Sequence, residues 1–362
     1  MQRNVNLSPI VEPLLAWYDQ NKRPLPWREE PSPYHVWVSE IMLQQTRIEA
    51  VIPYYERFLS ACPTVEALAA IDDEQLMKLW EGLGYYSRAR NLKRAAQWIV
   101  DQHGGALPAD YRELLALPGI GPYTAGAIAS IAYGLPEPAV DGNVLRVITR
   151  LCADESDVTK ETTKQRVLAD LRAIYPQTKR EAAAMTQALM ELGERICLPN
   201  GAPKCDQCPL GALCPARAEG LTDRIPYRSP KKPRRIQPRT VFLLLDGDTV
   251  ALRKREDKGL LAGLWEFVGA EENLDEAGAR RWLRTHGIEI EQLLPIPDAI
   301  HVFSHVEWHM TGYVVRCKKI TDSEWARELC WATAKELSDV YALPTAFRSP
   351  FRALMEFWGG EA

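Results

Sequence analysis

Two closely spaced glycines in front of a proline constrain this chain more than any other feature. Gly119 and Gly121 fall within the segment LPGIGP at 117–122, and residues 124–133 after it carry no charge. Proline is favoured at the first position of a helix, so Pro122 predicts that a helix begins there. Backbone N–H groups beside glycines, at the positive end of a helix dipole, favour a bound anion. The segment therefore predicts a helical hairpin, which is either a plain connection or a grip on phosphate.

A single carboxylate follows about one helix later. Asp141 lies in the tetrad Val-Asp-Gly-Asn at 140–143, directly before the next predicted helix. Backbone N–H groups at a helix start, together with the amide of Asn143, would favour the ionised form of Asp141. The same short stretch thus predicts a phosphate grip and a positioned acid.

The composition is that of a globular protein with an uneven charge. Its 362 residues suggest about two or three domains. The N-terminal residues lack the apolar core of a signal peptide, and no apolar run is long enough to span a bilayer, so a cytoplasmic, nucleoid-associated location is predicted. The net charge is −4, but residues 217–239 hold eight basic residues against two acidic ones. This basic linker predicts a solvated tether or a contact with DNA or a protein partner.

The apolar spacing of residues 1–216 predicts an almost wholly helical domain. Residues 64–79 and 124–133 are each predicted to form one helix. Another predicted helix, 34–47, carries Glu40 close to its apolar side. Such a carboxylate is either solvated at the edge of the helix or withdrawn from water, and the edge is the commoner case.

Glycines also frame an aromatic segment, residues 82–90. Leu83 and Tyr85 would form apolar and aromatic tips, and Arg88 follows them as a cation. Tips of this kind insert between bases while nearby cations hold phosphates. The alternative is an ordinary packed helix start, and the segment alone does not decide between them.

Four of the eight cysteines are grouped near the end of the helical region. They are Cys197, Cys205, Cys208 and Cys214, with gaps of seven, two and five residues. Four thiolates this close predict a metal site, and both zinc and an iron–sulfur cluster accept four cysteines. A zinc ribbon usually has two Cys-x-x-Cys pairs, whereas this segment has one, which favours the cluster.

These motifs together carry a family resemblance. Residues 1–216 resemble the helix–hairpin–helix, iron–sulfur superfamily of DNA glycosylases, through the hairpin, Asp141 and the four cysteines. The segments WVSEIMLQQT, GLGYYSRARNL and AVDGNVLRV, at 37–46, 82–92 and 139–147, resemble its adenine glycosylase branch, the MutY type. The resemblance implies a monomer with a 4Fe–4S cluster that flips adenine out of double-stranded DNA. It would excise adenine opposite 8-oxoguanine or guanine in base excision repair. The first cysteine gap departs from the family, which usually has about six residues there.

Tyr123 bears on the type of reaction. Superfamily members that resemble endonuclease III carry a lysine at this place, and its amine attacks the sugar before strand cleavage. A phenol cannot form an imine. The resemblance and Tyr123 together imply base removal by water without an efficient lyase step.

From Thr240 onward the pattern changes to strands, starting with a hairpin at 240–255 that turns at a Gly-Asp step. This half resembles an α/β Nudix-like fold. A Nudix hydrolase holds Mg²⁺ through closely spaced glutamates on one helix, and the corresponding helix at 274–286 lacks them. The resemblance implies a domain that recognises the 8-oxoguanine strand. Its contact loop would be Phe303, Ser304 and His305.

The resemblance also implies roles for single side chains. Glu40 would protonate N7 of the leaving adenine and then activate water, and burial would raise its pKa for that task. Asp141, beside Asn143, would stabilise the cationic sugar or bond to it transiently. Tyr123 would orient Asp141 and shield the site. The positions that match the adenine pocket are Trp27, Arg28, Leu43 and Gln187. Other expected DNA contacts are Gln45, Thr46, Leu83, Tyr85, Arg88, Gly119 and Gly121.

The predicted organisation is multidomain: an all-α helix–hairpin–helix glycosylase domain with a cluster loop at 1–216, the linker 217–239, and the Nudix-like domain 240–362. A bifunctional glycosylase and lyase acting on oxidised pyrimidines is the first alternative, and Tyr123 opposes it. A non-catalytic DNA-binding protein would need neither Glu40 nor Asp141. A phosphohydrolase would need the glutamates that the C-terminal half lacks.

Overall fold

The computed structural model describes residues 5–199, 201–230 and 232–359. These residues form two compact units. The first consists of residues up to Ala70 together with Arg90–Pro230, and the second consists of Ile71–Ala89 together with the residues after 231. A segment of the predicted helical domain therefore packs with the C-terminal part of the chain.

The helical prediction for the N-terminal region is confirmed. Its helices are α1 (Val11–Asn21), α2 (Pro26–Glu29), α3 (Pro33–Leu43), α4 (Ile48–Ala61), α5 (Val65–Ala70), α6 (Asp73–Trp80), α7 (Ser87–His103), α8 (Tyr111–Ala116), α9 (Pro122–Ala127), α10 (Gly142–Leu151), α11 (Glu161–Ile174), α12 (Lys179–Arg195) and α13 (Pro215–Ala218). Helices α1, α10, α11 and α12 pack around a shared apolar core in the first unit. Among the described residues, no helix is both long and apolar enough to cross a bilayer.

Two of the predicted helices are interrupted. Residues 64–79 form α5 and α6 instead of one helix, because the carboxylate of Asp72 accepts hydrogen bonds from the backbone N–H groups of Glu74 and Gln75 and starts a new helix. Residues 124–133 begin within α9 and continue as a π-helical turn, Ile128–Ala132. The π turn widens the helix just before the loop that leads to Asp141.

The glycine hairpin forms where the sequence predicts it. Gly119 has a φ of +76°, and Pro122 is the first residue of α9. A Cβ atom on Gly119 would lie 2.6 Å from Cβ of Asn91, so both the backbone angle and the space require glycine. Gly121 has a φ of −93° and no heavy atom within 4 Å of its Cβ position. The two glycines therefore serve different purposes in the turn.

The second unit is built on a mixed sheet, as the Nudix-like prediction requires. Its strands are β1 (Arg235–Asp246), β2 (Thr249–Lys254), β3 (Trp265–Ala270), β4 (Ile288–Val302), β5 (Val306–Ile320) and β6 (Cys330–Thr333). The strand order is β4-β5-β1-β3-β2-β6, and β1 and β5 run parallel. The predicted hairpin is formed by β1 and β2, and Gly247 has a positive φ in its turn. Strand β1 starts at Arg235, so the end of the predicted linker lies in the sheet.

Helices cover both faces of this sheet. They are α14 (Glu276–Thr285), α15 (Glu324–Arg327), α16 (Ala334–Asp339) and α17 (Arg348–Phe357). Leu337 of α16 and Leu354 of α17 belong to the apolar core on one face. Ala279 and Leu283 of α14 belong to the core on the other face. The α/β class of this half is confirmed.

The contrast between the two hairpin glycines gives a test of the fold. We expect Gly119→Ala to lower the free energy of unfolding by about 2 kcal/mol or more, because it adds a strained φ and a close contact. Gly121→Ala is the matched control, and we expect it to cost less than about 1 kcal/mol at a helix N-cap. Urea denaturation measures both. Equal effects of the two changes would contradict this account of the turn.

Candidate active site

A cavity of about 160 Å³ opens in the first unit, between α2, α3, α12 and the start of α10. Cavities of roughly 150 Å³ hold a benzene ring, so this one has room for a planar aromatic ring. Its walls bring together all of the predicted catalytic and pocket residues, which are Trp27, Arg28, Glu40, Leu43, Tyr123, Asp141, Asn143 and Gln187. Thr46, predicted as a DNA contact outside the pocket, also lines the cavity.

Glu40 is withdrawn from water. Helix α3 is buried almost all round, and Glu40 is only 5% exposed, so the solvated-edge alternative is wrong. The hydroxyl of Tyr123 donates a hydrogen bond to Glu40 Oε2. Burial raises the pKa of Glu40 to about 7, an effect that the Tyr123 hydrogen bond reduces and the charge of Asp141 increases. This carboxyl is therefore able to hold a proton near neutral pH.

Asp141 is the N-cap residue of α10. Its Oδ1 accepts from the backbone N–H of Val144 at 2.7 Å, and its Oδ2 accepts from Nδ2 of Asn143 at 2.9 Å. The predicted donors are present. These donors lower the pKa of Asp141, but burial raises it by more, so the net pKa is raised. The expectation that Asp141 lies where the anion is favoured is corrected.

Tyr123 lies between polar and apolar walls. Its hydroxyl donates to Glu40 and lies 4.0 Å from Sδ of Met190. Burial, with the nearby charges of Glu40 and Asp141, places the pKa of this phenol well above its usual value. The expectation that Tyr123 orients Asp141 is corrected, because the hydrogen bond goes to Glu40.

A buried ion-pair network that the sequence did not predict forms another wall. Glu191 on α12 is 1% exposed and pairs with Arg23 at 2.6 Å and with Arg28 at 2.8 Å. Arg28 therefore contacts a protein carboxylate within the predicted pocket. The sequence spacing could have indicated that Glu191 lines the pocket, because it follows Gln187 by four residues and shares its face of the helix.

The residues after α3 adopt an unusual backbone. Gln45 is exposed and has a φ of +60°, which is rare outside glycine. Thr46, next to it, lines the cavity. Strain of this kind often marks a functional segment.

In the second unit the glycine-framed loop has one exposed tip. Tyr85 is 45% exposed with a φ of +48°, and its hydroxyl lies 3.1 Å from Oγ of Ser304. Leu83 is 7% exposed, so the expectation of two projecting tips is corrected. Tyr85, predicted to insert between bases, and Ser304, predicted to contact the 8-oxoguanine strand, are thus neighbours within this unit.

Arg88 stabilises this loop from inside. It is buried, and its Nη2 donates to the carbonyl oxygens of Leu83 at 3.0 Å and Gly84 at 3.1 Å. Its guanidinium also lies 5.4 Å from the ring of Trp80. The prediction that Arg88 faces phosphate is corrected, since Arg88 is buried and its Nη2 is directed at the loop backbone.

The predicted contact loop leaves β4 at the sheet end. Ser304 and His305 are exposed, whereas Phe303 is partly buried with its ring 4.9 Å from that of Trp308. Arg234, from the predicted linker, donates through Nε to the carbonyl of Phe303 at 3.0 Å. Lys231, another basic residue of that linker, lies outside the described residues.

The four grouped cysteines are free and partly buried, and three of them pack on the core of the first unit. Burial raises the pKa of the Cys208 thiol to about 11, and the other three thiols act in the same direction. Arg150 Nη1 lies 3.2 Å from Sγ of Cys197. Across the described chain, no three His, Cys, Asp or Glu side chains are close enough to hold one metal ion.

The four cysteines nevertheless lie near one another, since the thiols of Cys197, Cys205 and Cys214 each raise the pKa of Cys208. Four cysteines are a donor set that an iron–sulfur cluster accepts. The segment between Cys197 and Cys205 forms a closed loop, because the N–H of Lys204 donates to the carbonyl of Ile196 at 2.9 Å. Asn200, within that segment, lies outside the described residues.

Comparison with known proteins agrees with these features. Residues 38–173 match the family described as HhH-GPD superfamily base excision DNA repair protein, and residues 240–353 match the NUDIX domain family. A thermostable thymine-DNA glycosylase structure is similar with a TM-score of 0.53 and 27% identity, over 58% of this chain and 96% of that one. An endonuclease III–DNA complex gives 0.51 and 25%, over 61% and 99%.

Similarity to one relative extends over almost the whole chain. The adenine DNA glycosylase of Mus musculus is 34% identical, with 94% of this chain and 76% of the mouse protein aligned. The alignment therefore includes both the helical part and the Nudix-like part. The chain belongs to the adenine DNA glycosylase family.

Proposed function

We propose that this chain is a monofunctional DNA glycosylase that hydrolyses the N-glycosidic bond of adenine mispaired with 8-oxoguanine or guanine. The observation that carries the proposal is a pair of carboxylates, buried Glu40 and half-buried Asp141, that line one ring-sized cavity. Family membership supports the substrate class. The proposed partner is double-stranded DNA, and the similar endonuclease III structure is a complex with DNA.

Glu40 is the proposed general acid. The adenine leaves the helical stack and enters the cavity, because its glycosidic bond is out of reach inside a duplex. A carboxyl with a pKa of about 7 still holds a proton near neutral pH and can pass it to N7 as the base departs. The resulting carboxylate then activates the water that attacks the sugar.

Asp141 is the proposed stabiliser of the sugar. Loss of adenine leaves an oxocarbenium-like centre, and a nearby carboxylate stabilises it or bonds to it transiently. Val144 N–H and the Asn143 amide hold the carboxylate in place. Because burial raises the pKa of Asp141, its anion is poorly solvated and gains most when positive charge develops beside it.

Tyr123 supports hydrolysis instead of lyase chemistry. Its phenol cannot form an imine with the sugar, so water is the nucleophile. Through its hydrogen bond it keeps the Glu40 carboxyl directed into the cavity. Met190 beside the hydroxyl limits access of bulk water.

The cysteines are proposed to hold a 4Fe–4S cluster. Cys197, Cys205, Cys208 and Cys214 supply the four thiolates, and the packing of three of them on the first unit's core suits a group that needs shielding from water. When bound, the cluster supplies four metal–sulfur bonds that fix this segment. None of the steps above passes through it.

The first test is single-turnover cleavage of a duplex with one adenine opposite 8-oxoguanine, analysed with and without alkali. We expect free adenine and strand breakage only after alkali. Asp141→Asn and Glu40→Gln should each lose about 100-fold or more in rate, because each removes a group that acts in the transition state. Asp101→Asn and Glu56→Gln, at exposed positions of the first unit, are matched controls. Strand breakage without alkali would indicate a lyase instead.

The pH dependence tests Glu40 as the acid. The rate should fall as the pH rises through about 7, because the proton on Glu40 is then lost. Tyr123→Phe removes a hydrogen bond that lowers the pKa of Glu40, so this falling limb should move to higher pH. Tyr133→Phe, which removes a hydroxyl bond to the Leu107 carbonyl, is the control and should leave the limb in place. A limb that stays fixed in Tyr123→Phe would exclude Glu40 as its source.

The metal content tests the cluster. We expect the purified protein to contain about four irons and an equal amount of sulfide per chain. Cys208→Ser should lose most of this iron, whereas Cys317→Ala, in the second unit, should keep it. Zinc at about one per chain would assign the segment to a zinc site instead.

A further inference from the structure

Helix α6 and the loop after it are anchored to the rest of the second unit by a lysine. Lys78 Nζ donates to the carbonyl oxygens of Leu337 at 3.1 Å and Tyr341 at 3.2 Å. It also pairs with Glu81 Oε2 at 2.7 Å. An ammonium group has three N–H donors, so each donor has one acceptor. The Leu337 carbonyl lies in the last turn of α16, where carbonyls lack helical partners and favour a cation.

Glu81 extends this contact. Its Oε1 accepts from the backbone N–H of Leu343 at 2.8 Å, while its other oxygen binds Lys78. At the other end of α6, the carboxylate of Glu74 accepts from Nε1 of Trp265 at 2.8 Å and pairs with Lys254 at 2.5 Å. We call Glu74, Lys78 and Glu81 the α6 anchor. It joins the helix to strands and loops more than 170 residues later in the chain.

The loop that follows the α6 anchor has little freedom. Trp80 Nε1 donates to the Gly84 carbonyl at 3.2 Å, and Arg88 donates to the same oxygen and to that of Leu83. Tyr85 adopts a strained left-handed backbone, which persists only where the surrounding structure imposes it. Its hydroxyl meets Ser304 at the tip.

We infer that Lys78 is a positioning residue for recognition of the base opposite the excised adenine. Its contacts hold the end of α6 that leads into the Tyr85 loop, and the Tyr85 hydroxyl meets Ser304, an exposed group 219 residues away in the sequence. Together they form one polar and aromatic surface suited to a modified purine. This inference rests on the proposed function, and it concerns the choice of mispair and not the chemistry of base release.

A role in recognition predicts a different result from a role in stability alone. If Lys78 only stabilises the unit, its loss should affect all substrates in proportion to the unfolded fraction. If it sets the Tyr85–Ser304 surface, its loss should affect the 8-oxoguanine mispair more than the guanine mispair. The effect of losing Lys78 should also depend on the Tyr85 hydroxyl, since both groups would act through the Tyr85–Ser304 contact.

The experiment measures the preference for adenine opposite 8-oxoguanine over adenine opposite guanine. For each mispair, the single-turnover rate constant is divided by the half-saturating enzyme concentration, and the preference is the ratio of the two quotients. We expect Lys78→Met to reduce the preference about tenfold, equivalent to loss of one charge-assisted contact, with the rate at saturation within about twofold of wild type. Lys78→Arg, which keeps the charge and donors, should restore part of the preference. In a Tyr85→Phe background, Lys78→Met should have a smaller effect.

Two controls separate recognition from folding. Lys318→Met breaks an exposed pair with Glu289 in the same unit and should change nothing. Leu354→Ala removes a buried side chain of that unit's core and should lower the thermal midpoint without changing the preference. Where Lys78→Met does not fold, Glu81→Gln keeps an acceptor for Leu343 while removing the charge beside Lys78, and it should shift the preference in the same direction.

The outcomes are distinct. An unchanged preference in Lys78→Met, or an equal loss in Leu354→Ala, overturns the positioning role while leaving the proposed function intact. If the wild type releases no adenine from either mispair, the proposed function fails first and the inference fails with it. A loss confined to Lys78→Met and Glu81→Gln, reduced in the Tyr85→Phe background, supports the inference.

Discussion

Burial of Glu40 is the constraint on which the site depends. A carboxyl in an apolar helix is costly when ionised, so the fold favours its protonated form. Tyr123 provides a hydrogen bond to the group without supplying a positive charge, and the charge of Asp141 opposes ionisation further. The same packing that makes α3 a core helix therefore produces an acid that is available near neutral pH. Burial of this carboxyl costs stability locally, and under the proposed function it provides the general acid.

Glu191, another buried carboxylate that lines this cavity, has its pKa shifted in the opposite direction to that of Glu40. Burial alone would raise its pKa, yet hydrogen bonds and charge from Arg23 and Arg28 outweigh burial and lower it. Glu191 is thus a permanent anion that holds two arginines at the pocket. The difference between an acid and a structural anion at this site is set by the number of adjacent cations, since both carboxylates are withdrawn from water.

Features that depend on neighbours in sequence could be predicted, and features that depend on distant packing could not. The turn at Gly119, the N-cap Asp141 and the β1–β2 hairpin at Gly247 follow from local backbone preferences. The inward direction of Arg88 and the burial of Leu83 depend on Trp80 and on the loop's own fold. The packing of residues 71–89 with the second unit had no local signal, because Lys78 and Glu81 look like an ordinary solvated pair on a helix end.

Among the described non-glycine residues with a left-handed backbone, Gln45 and Tyr85 belong to segments predicted to contact DNA. Such a backbone persists only where the surrounding structure imposes it, as Arg88 and Trp80 do around Tyr85. A loop ordered before binding loses less conformational entropy when it meets DNA, so more of its contact free energy remains to separate one opposing base from another. Under the proposed function, this rigidity favours discrimination between two opposing purines that differ by an oxygen, and the backbone strain is its cost.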